Sequence, residues 1–147
     1  MITVRLAESK ADVETCLRLR WTVFVEEQGV RPSDEIDLHD RSDAVHVLAL
    51  LDGVPAGAAR LIFPEPVATP GLAKLQRMAV IDDVRKLGVG RALLAFLEAE
   101  ARRRGARAFT LGAQTHARGF YEKQGYAAVG AEFDDAGLPH VRMDKPA

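Results

Sequence analysis

The sequence predicts a mixed α/β domain. Three observations carry that reading. Short apolar runs bounded by turn residues recur along the 147-residue chain in the manner of strands. Two stretches repeat their apolar residues at helical spacing. The two kinds of signal interleave in the order β-α-β-β-β-α-β-α-β-β, which belongs to a sheet with helices packed on it.

Residues 2–7 alternate apolar with polar and read as a strand. Ser9 and Asp12 have capping-box-like spacing and open a helix. Val13, Cys16, Leu17, Trp21 and Phe24 then recur on one helical face. Residues 31–43 break the pattern with Pro32 and a run of acids (Asp34, Glu35, Asp37, Asp40, Asp43), giving a loop with room for a short helix. Residues 45–51 form a compact apolar run that stops at Asp52-Gly53, a hairpin turn signal. Residues 56–63 return as the next strand, and residues 64–71 form a proline-rich loop. Residues 72–81 make a fourth strand whose alternation is imperfect, as expected if both faces are covered or the strand bulges. Val89, Leu93, Phe96, Leu97 and Ala101 mark the clearest helix. Arg102, Arg103 and Arg104 suit its negative end, and Gly105 can cap it. Residues 108–113 are a fifth strand and residues 116–123 a short helix. Residues 126–133 and 140–143 are the last strands, joined by a turn at 134–137. No repeat, linker or second domain interrupts the pattern, so residues 1–147 read as one domain.

The bulk numbers exclude more than they assign. Twenty basic and 21 acidic residues leave a net charge of −1, so no global footprint for nucleic acid or anionic membrane exists. The single cysteine, Cys16, cannot form an intrachain disulfide, which fits a reducing compartment. It falls on the apolar face of the first helix, where it reads as a small core residue. The first residues carry charges instead of an apolar run, and the longest apolar stretch is far too short to span a bilayer. The expectation is a cytoplasmic protein. The four histidines (39, 46, 116, 140) show no metal-ligand spacing, so no metal is expected.

The segment Arg85-Lys86-Leu87-Gly88-Val89-Gly90-Arg91 is the most informative. A strand ends before it and a helix begins within it. Its two glycines let backbone amides approach a ligand, and a helix N-terminus offers unpaired N–H groups and a positive dipole end. Arg85, Lys86 and Arg91 add charge. The segment reads as a cradle for a diphosphate. The plainer alternative is a turn that merely needs glycine. A dinucleotide site fits less well, because Leu93 stands where a third glycine belongs.

These residues resemble a known family. Arg85-x-x-Gly88-x-Gly90 matches the Gln/Arg-x-x-Gly-x-Gly/Ala signature of the GCN5-related N-acetyltransferases (GNAT). Met78-Ala79-Val80 sits where that family's bulged strand runs. Phe120-Tyr121-Glu122-Lys123-Gln124-Gly125-Tyr126 resembles its F-Y-x-x-x-G-F segment. The stretches LGAQTHARGFYEKQGY (111–126), GLPHVRM (137–143), LRWTVFVEEQ (19–28) and EIDLHD (35–40) extend the likeness to the ElaA-like branch, over nearly the whole chain.

The resemblance implies a central, mostly antiparallel sheet of about seven strands, flanked by helices and splayed between the fourth and fifth. It implies acetyl-CoA as co-substrate and a primary amine, on a small molecule or peptide, as acceptor; it also admits a homodimer. The amides of residues 86–91 (Lys86, Leu87, Gly88, Val89, Gly90, Arg91), with Arg85, would hold the diphosphate. Backbone groups of Met78, Ala79 and Val80 would line the pantetheine arm, and the Val80 N–H would face the developing oxyanion. Tyr121 sits where the family places the acid that protonates the leaving thiolate; its alternative is a core aromatic. Gln114 sits where many members carry a cofactor-binding asparagine, and reads equally as a satisfied polar residue at a strand end. The base is open among Glu26, Glu27, Asp37, His46 and His140, with His140 and Glu27 first. The acids at 26–43 would favour a cationic acceptor if they face the cleft. Two rival readings stand beside this one. A GNAT-like domain could bind acetyl-CoA as a sensor without turnover. Arg20, Phe24, Glu35, Asp37, Asp40 and Arg60 also resemble the N-terminal half of acyl-homoserine-lactone synthases.

Overall fold

Asp52 and Gly53 both adopt positive φ (50° and 82°), the geometry of a two-residue hairpin turn. They join β2 (Val45–Leu51) to β3 (Val54–Ile62) in antiparallel register. β1 (Ile2–Leu6) pairs with the outer edge of β2. On the other side, β3 pairs antiparallel with β4 (Leu72–Val80). β5 (Ala108–Gln114), β7 (Leu138–Pro146) and β6 (Ala127–Asp135) complete a seven-stranded sheet in the order β1-β2-β3-β4-β5-β7-β6. The computed structural model describes residues 1–35, 40, 44–64 and 70–147. Part of the expected proline-rich loop, and the acids Asp37 and Asp43, lie outside them.

Helices cover both faces. α1 (Lys10–Arg20) opens at Ser9, whose Oγ accepts the Asp12 N–H at 3.1 Å. Its Cys16 and Leu19 pack on Leu48 and Ala58. The opposite face, including Val47, Ala49, Ala59 and Leu61, receives Val89, Leu93, Leu94 and Leu97 of α3 (Val89–Arg103). Successive residues of β2 thus enter different cores, which is why its sequence is continuously apolar. α4 (Arg118–Lys123) adds Phe120 and Tyr121 to the α3 side.

The one parallel contact positions the site. β4 and β5 are paired only at Leu72–Ala108, Ala73–Phe109 and Lys74–Thr110. Beyond Lys74 they part, β4 following β3 and β5 following β7. Between Ala58–Ala79 and Arg60–Gln76, two steps of β3 match three of β4, and Arg77 adopts φ 54°. This is a β-bulge, and it explains the imperfect alternation of residues 72–81.

The first helix departs from expectation. After Arg20 it widens into a π-helical segment, Trp21–Glu27. Trp21, expected on the apolar stripe, is 39% exposed, and Val23 faces inward in line with Cys16 and Leu19. Arg20 is fully buried instead. Its guanidinium donates to Glu35 Oε1 and O at 2.7 and 2.8 Å and to both Asp40 oxygens at 2.7 and 3.0 Å. Glu35 ends a one-turn helix, α2 (Pro32–Glu35). Arg60 joins the network through Asp40 at 3.1 Å. Arg20, Glu35, Asp40 and Arg60, read from sequence as synthase-like, therefore form a buried ionic cluster between α1, α2 and β3.

Candidate active site

The parted strands open a cleft of about 990 Å³. At one end lies the glycine-bearing loop. Lys86 and Gly88 both take positive φ, 72° and 95°, and Gly88 caps α3. The N–H groups of Val89, Gly90 and Arg91 open the helix and have no partner within it. Lys86, Leu87, Gly88 and Arg91 are exposed, whereas the Val89 side chain is 1% exposed and belongs to the core, so only its backbone can serve a ligand. A Cβ on Gly90 would point at Phe120 Cζ and Val80 Cγ2, 3.6 and 3.8 Å away, toward the cleft. A Cβ on Gly88 would point at Ile2, away from it.

The edge of β4 forms one wall. Ile81 N–H donates to Ala56 O at 3.1 Å, so that pair is hydrogen-bonded. The pairs of an antiparallel ladder alternate, and Gly57 opposite Val80 is the next pair. The Val80 N–H and C=O therefore point away from β3, toward the cleft. Met78 and Val80 line that cleft, while the Ala79 side chain is buried in the core.

Arg85 does not present a spare charge to this space. Its Nε donates to Val80 O at 2.9 Å, and its terminal nitrogens meet Glu27 Oε1 and Oε2 at 2.8 and 2.6 Å. The adjoining carboxylate raises the Arg85 pKa further, fixing its charge. Arg85 and Glu27, expected respectively as phosphate ligand and base, are thus bound to each other. Glu26 lines a smaller neighbouring cavity with Thr22, Glu27, Ile81, Asp82 and Asp83.

The opposite wall comes from β5, β7 and α4. The Tyr121 hydroxyl lies 3.7 Å from Met78 Sδ, and burial pushes its pKa up to about 12. Its ring stands edge-on to Phe120 and Tyr126 at 5.0 and 6.0 Å. The Gln114 amide is engaged at both ends, donating to Gln28 Oε1 at 2.9 Å and facing His116 Nε2 at 2.7 Å. His140 stacks on Phe133 at 5.8 Å. Its Nδ1 lies 2.8 Å from Leu138 O, which can only accept, so Nδ1 donates, and in the neutral tautomer Nε2 is the nitrogen that can accept. His46 lies away from the cleft lining, buried on β2 and 4.0 Å from Asp40. Burial lowers its pKa despite that carboxylate.

Asp34, Glu35, Gln76, Arg77 and Asp135 line the far end of the cleft. Among the described residues, Asp34 and Glu35 of the 26–43 run face it, both engaged in ion pairs. Glu35 is held by Arg20, and Asp34 by Arg31 at 2.9 Å. The Arg77 guanidinium donates to the Asp34 and Glu35 carbonyls at 3.2 Å. Sequence reasoning missed Gln28, Gln76 and Arg77. The broken alternation of β4 was a signal for Arg77; nothing in the sequence marked Gln28, whose partner lies 86 residues away.

Comparison with known proteins agrees with this geometry. The family model described as "Acetyltransferase (GNAT) domain" matches residues 19–147. A Bacillus subtilis protein that bears the name of an acetyltransferase is 40% identical over 146 residues, covering 98% of this chain and 96% of that one. The crystal structure of Escherichia coli ElaA superposes with a TM-score of 0.85 at 26% identity, covering 99% of both chains. An acyl-CoA N-acyltransferase from Pseudomonas aeruginosa gives a TM-score of 0.81 at 28% identity, over 99% and 98% of the two chains. Among the described residues no helix is long and apolar enough to cross a membrane. By family model, relatives and fold together, the chain belongs to the GNAT acetyltransferase family.

Proposed function

We propose that the protein is an acyl-CoA-dependent N-acetyltransferase that moves an acetyl group from acetyl-CoA to a primary amine by direct attack. The observation that carries this is the Val80 peptide edge. Its N–H faces a cleft with an anion-type helix start at one end and a half-buried phenol beside it. The residues present suit an acyl-CoA. The amides of residues 86–91, with Lys86 and Arg91, would take the diphosphate. The cleft-facing backbone of Met78 to Val80, whose Val80 carbonyl already accepts from Arg85, would take the amide-bearing arm in the manner of a missing strand. Acetyl-CoA supplies an activated thioester, and the remaining chemistry belongs to the chain.

The Val80 N–H stabilises negative charge developing on the thioester oxygen. Tyr121 stays protonated at neutral pH and delivers its proton to the departing thiolate. Its raised pKa makes the transfer harder than for an ordinary phenol near ~10, and the same apolar surroundings raise the basicity of the thiolate in step. His140 Nε2 holds the lone pair that takes the amine's proton. Gln114 reaches the donor only by giving up Gln28 or His116.

The test is amine-dependent release of free CoA thiol, followed over a panel of small amines and peptides. Wild-type turnover that collapses in Tyr121→Phe supports the reading. Tight acetyl-CoA binding without turnover on any amine refutes it and favours an acetyl-CoA sensor.

A further inference from the structure

Arg85 opens the loop that resembles a phosphate-binding signature, yet its side chain turns back into the fold. Both terminal nitrogens face Glu27, one on each carboxylate oxygen, at 2.6 and 2.8 Å. Such a fork is directional as well as strong. It leaves Nε aimed at the Val80 carbonyl, 2.9 Å away. The Val80–Ile81 peptide is thereby pinned at both ends. Its carbonyl is held by Arg85, and its N–H donates to Ala56 O at 3.1 Å. Glu27 is the last residue of the π-helical segment, so the clasp ties that segment to the β4 edge.

We infer that Glu27 and Arg85 form a strut that sets the Val80 peptide edge for acyl transfer. Arg85 is a positioning residue, not a phosphate ligand, and Glu27 anchors Arg85, not the acceptor's proton. The diphosphate is left to Lys86, Arg91 and the loop amides. The inference rests on the proposed transferase reading and adds a role for two residues that the loop motif and the chemistry of carboxylates would assign otherwise.

The fork selects its own variants. Lysine at 85 keeps the charge but cannot span Val80 O and both oxygens of Glu27 at once. Glutamine at 27 keeps the shape and loses the charge. Arg85→Lys and Glu27→Gln should each lower kcat about tenfold, and the double variant should be no worse than either single one. CoA affinity by calorimetry should stay within about threefold. The same loss should appear with acetyl-pantetheine, which has no diphosphate. The acidic limb of the pH–rate profile should survive in Glu27→Gln. The exchanged pair, Glu27→Arg with Arg85→Glu, restores opposite charges but sets an acceptor against the Val80 carbonyl, so kcat should remain low even where stability recovers.

Three results overturn the strut. Arg85→Lys could weaken CoA binding tenfold or more while sparing acetyl-pantetheine, which makes Arg85 a phosphate ligand. Glu27→Gln could abolish the acidic limb, which makes Glu27 the base. The exchanged pair could recover kcat, which makes the contact an ordinary ion pair. Amide exchange at Ile81 reads the strut without any turnover, and should quicken in both single variants. If the wild-type protein acetylates no amine, the transferase reading falls and this exchange still decides the strut.

Discussion

The two loop glycines should answer the same substitution in opposite ways. Gly90 lies inside α3, is not among the positive-φ glycines, and has only ordinary contacts at 3.6 Å and beyond for a new Cβ. Replacing it with Glu removes a glycine from the second helical position, a gain of at most roughly 0.5–1 kcal/mol, and puts an acid in the first turn, where the dipole favours it. At about 2–4 °C per kcal/mol for a chain of this size, Tm should hold or rise by a few degrees. The carboxylate projects toward Phe120 and Val80, into the proposed donor channel. Held about 4 Å from a phosphoryl charge, it repels that charge by roughly 4 kcal/mol in a surface-like dielectric, or about a thousandfold in affinity. Gly88 is left-handed at 95°, and its Cβ would point at Ile2. Glu there is strained by roughly 1–2 kcal/mol and misses the channel. Its Tm should fall by about 2–8 °C, with a smaller loss of CoA affinity. Thermal melts and calorimetric CoA titration of both variants check this. Wild-type affinity in Gly90→Glu would refute the assignment of the loop as the diphosphate site. A larger Tm loss at 90 than at 88 would refute the conformational argument.

Tyr121→Phe should cut kcat by about 10²–10⁴ and leave acetyl-CoA affinity nearly unchanged, as steady-state kinetics and a binding titration would report. Arg20→Leu strips a donor from two buried carboxylates, and should cost about 3–5 kcal/mol in denaturant unfolding; a loss below about 1 kcal/mol means the cluster is wet. His46 has a folded pKa below its ordinary 6.5. The unfolded chain therefore binds the proton first, and stability present above about 6.5 is lost as pH falls through the folded value, by at most about 1.4 kcal/mol per pH unit. Urea midpoints at about pH 7.5 and about pH 5 should differ less in His46→Gln than in the wild type, and an equal difference would refute the assignment.

Local chemistry was legible in this sequence, and distant pairing was not. Asp52-Gly53 announced its hairpin because the turn needs two positive φ angles. The apolar register of Val89, Leu93 and Leu97 gave the α3 core face directly. The broken alternation around Met78 marked the bulge, since an extra residue shifts every later side chain to the other face. The π-helical segment was illegible, because 21–27 reads equally well with α-helical period. The burial of Arg20, at the end of α1, was hidden for another reason: an arginine reads as a surface residue unless its partners are known. Nor could sequence spacing show that Arg85 meets Glu27, 58 residues away. The cations of the loop were visible; their partners are set by tertiary contacts.

The parting of β4 from β5 also has a mechanical consequence. Among the described residues, a ladder of three residue pairs, extended by the Arg107 and Ala108 N–H groups on Gly71 O, stitches a four-stranded half of the sheet to a three-stranded half. The domain thus carries a seam through its middle, closed at one end and wedged open at the other. Any molecule that lies in the wedge and answers the backbone of β4 completes the weave between the two halves. Occupancy and resistance to unfolding are then linked, each rising with the other. The strands nearest the wedge should tighten first as it fills.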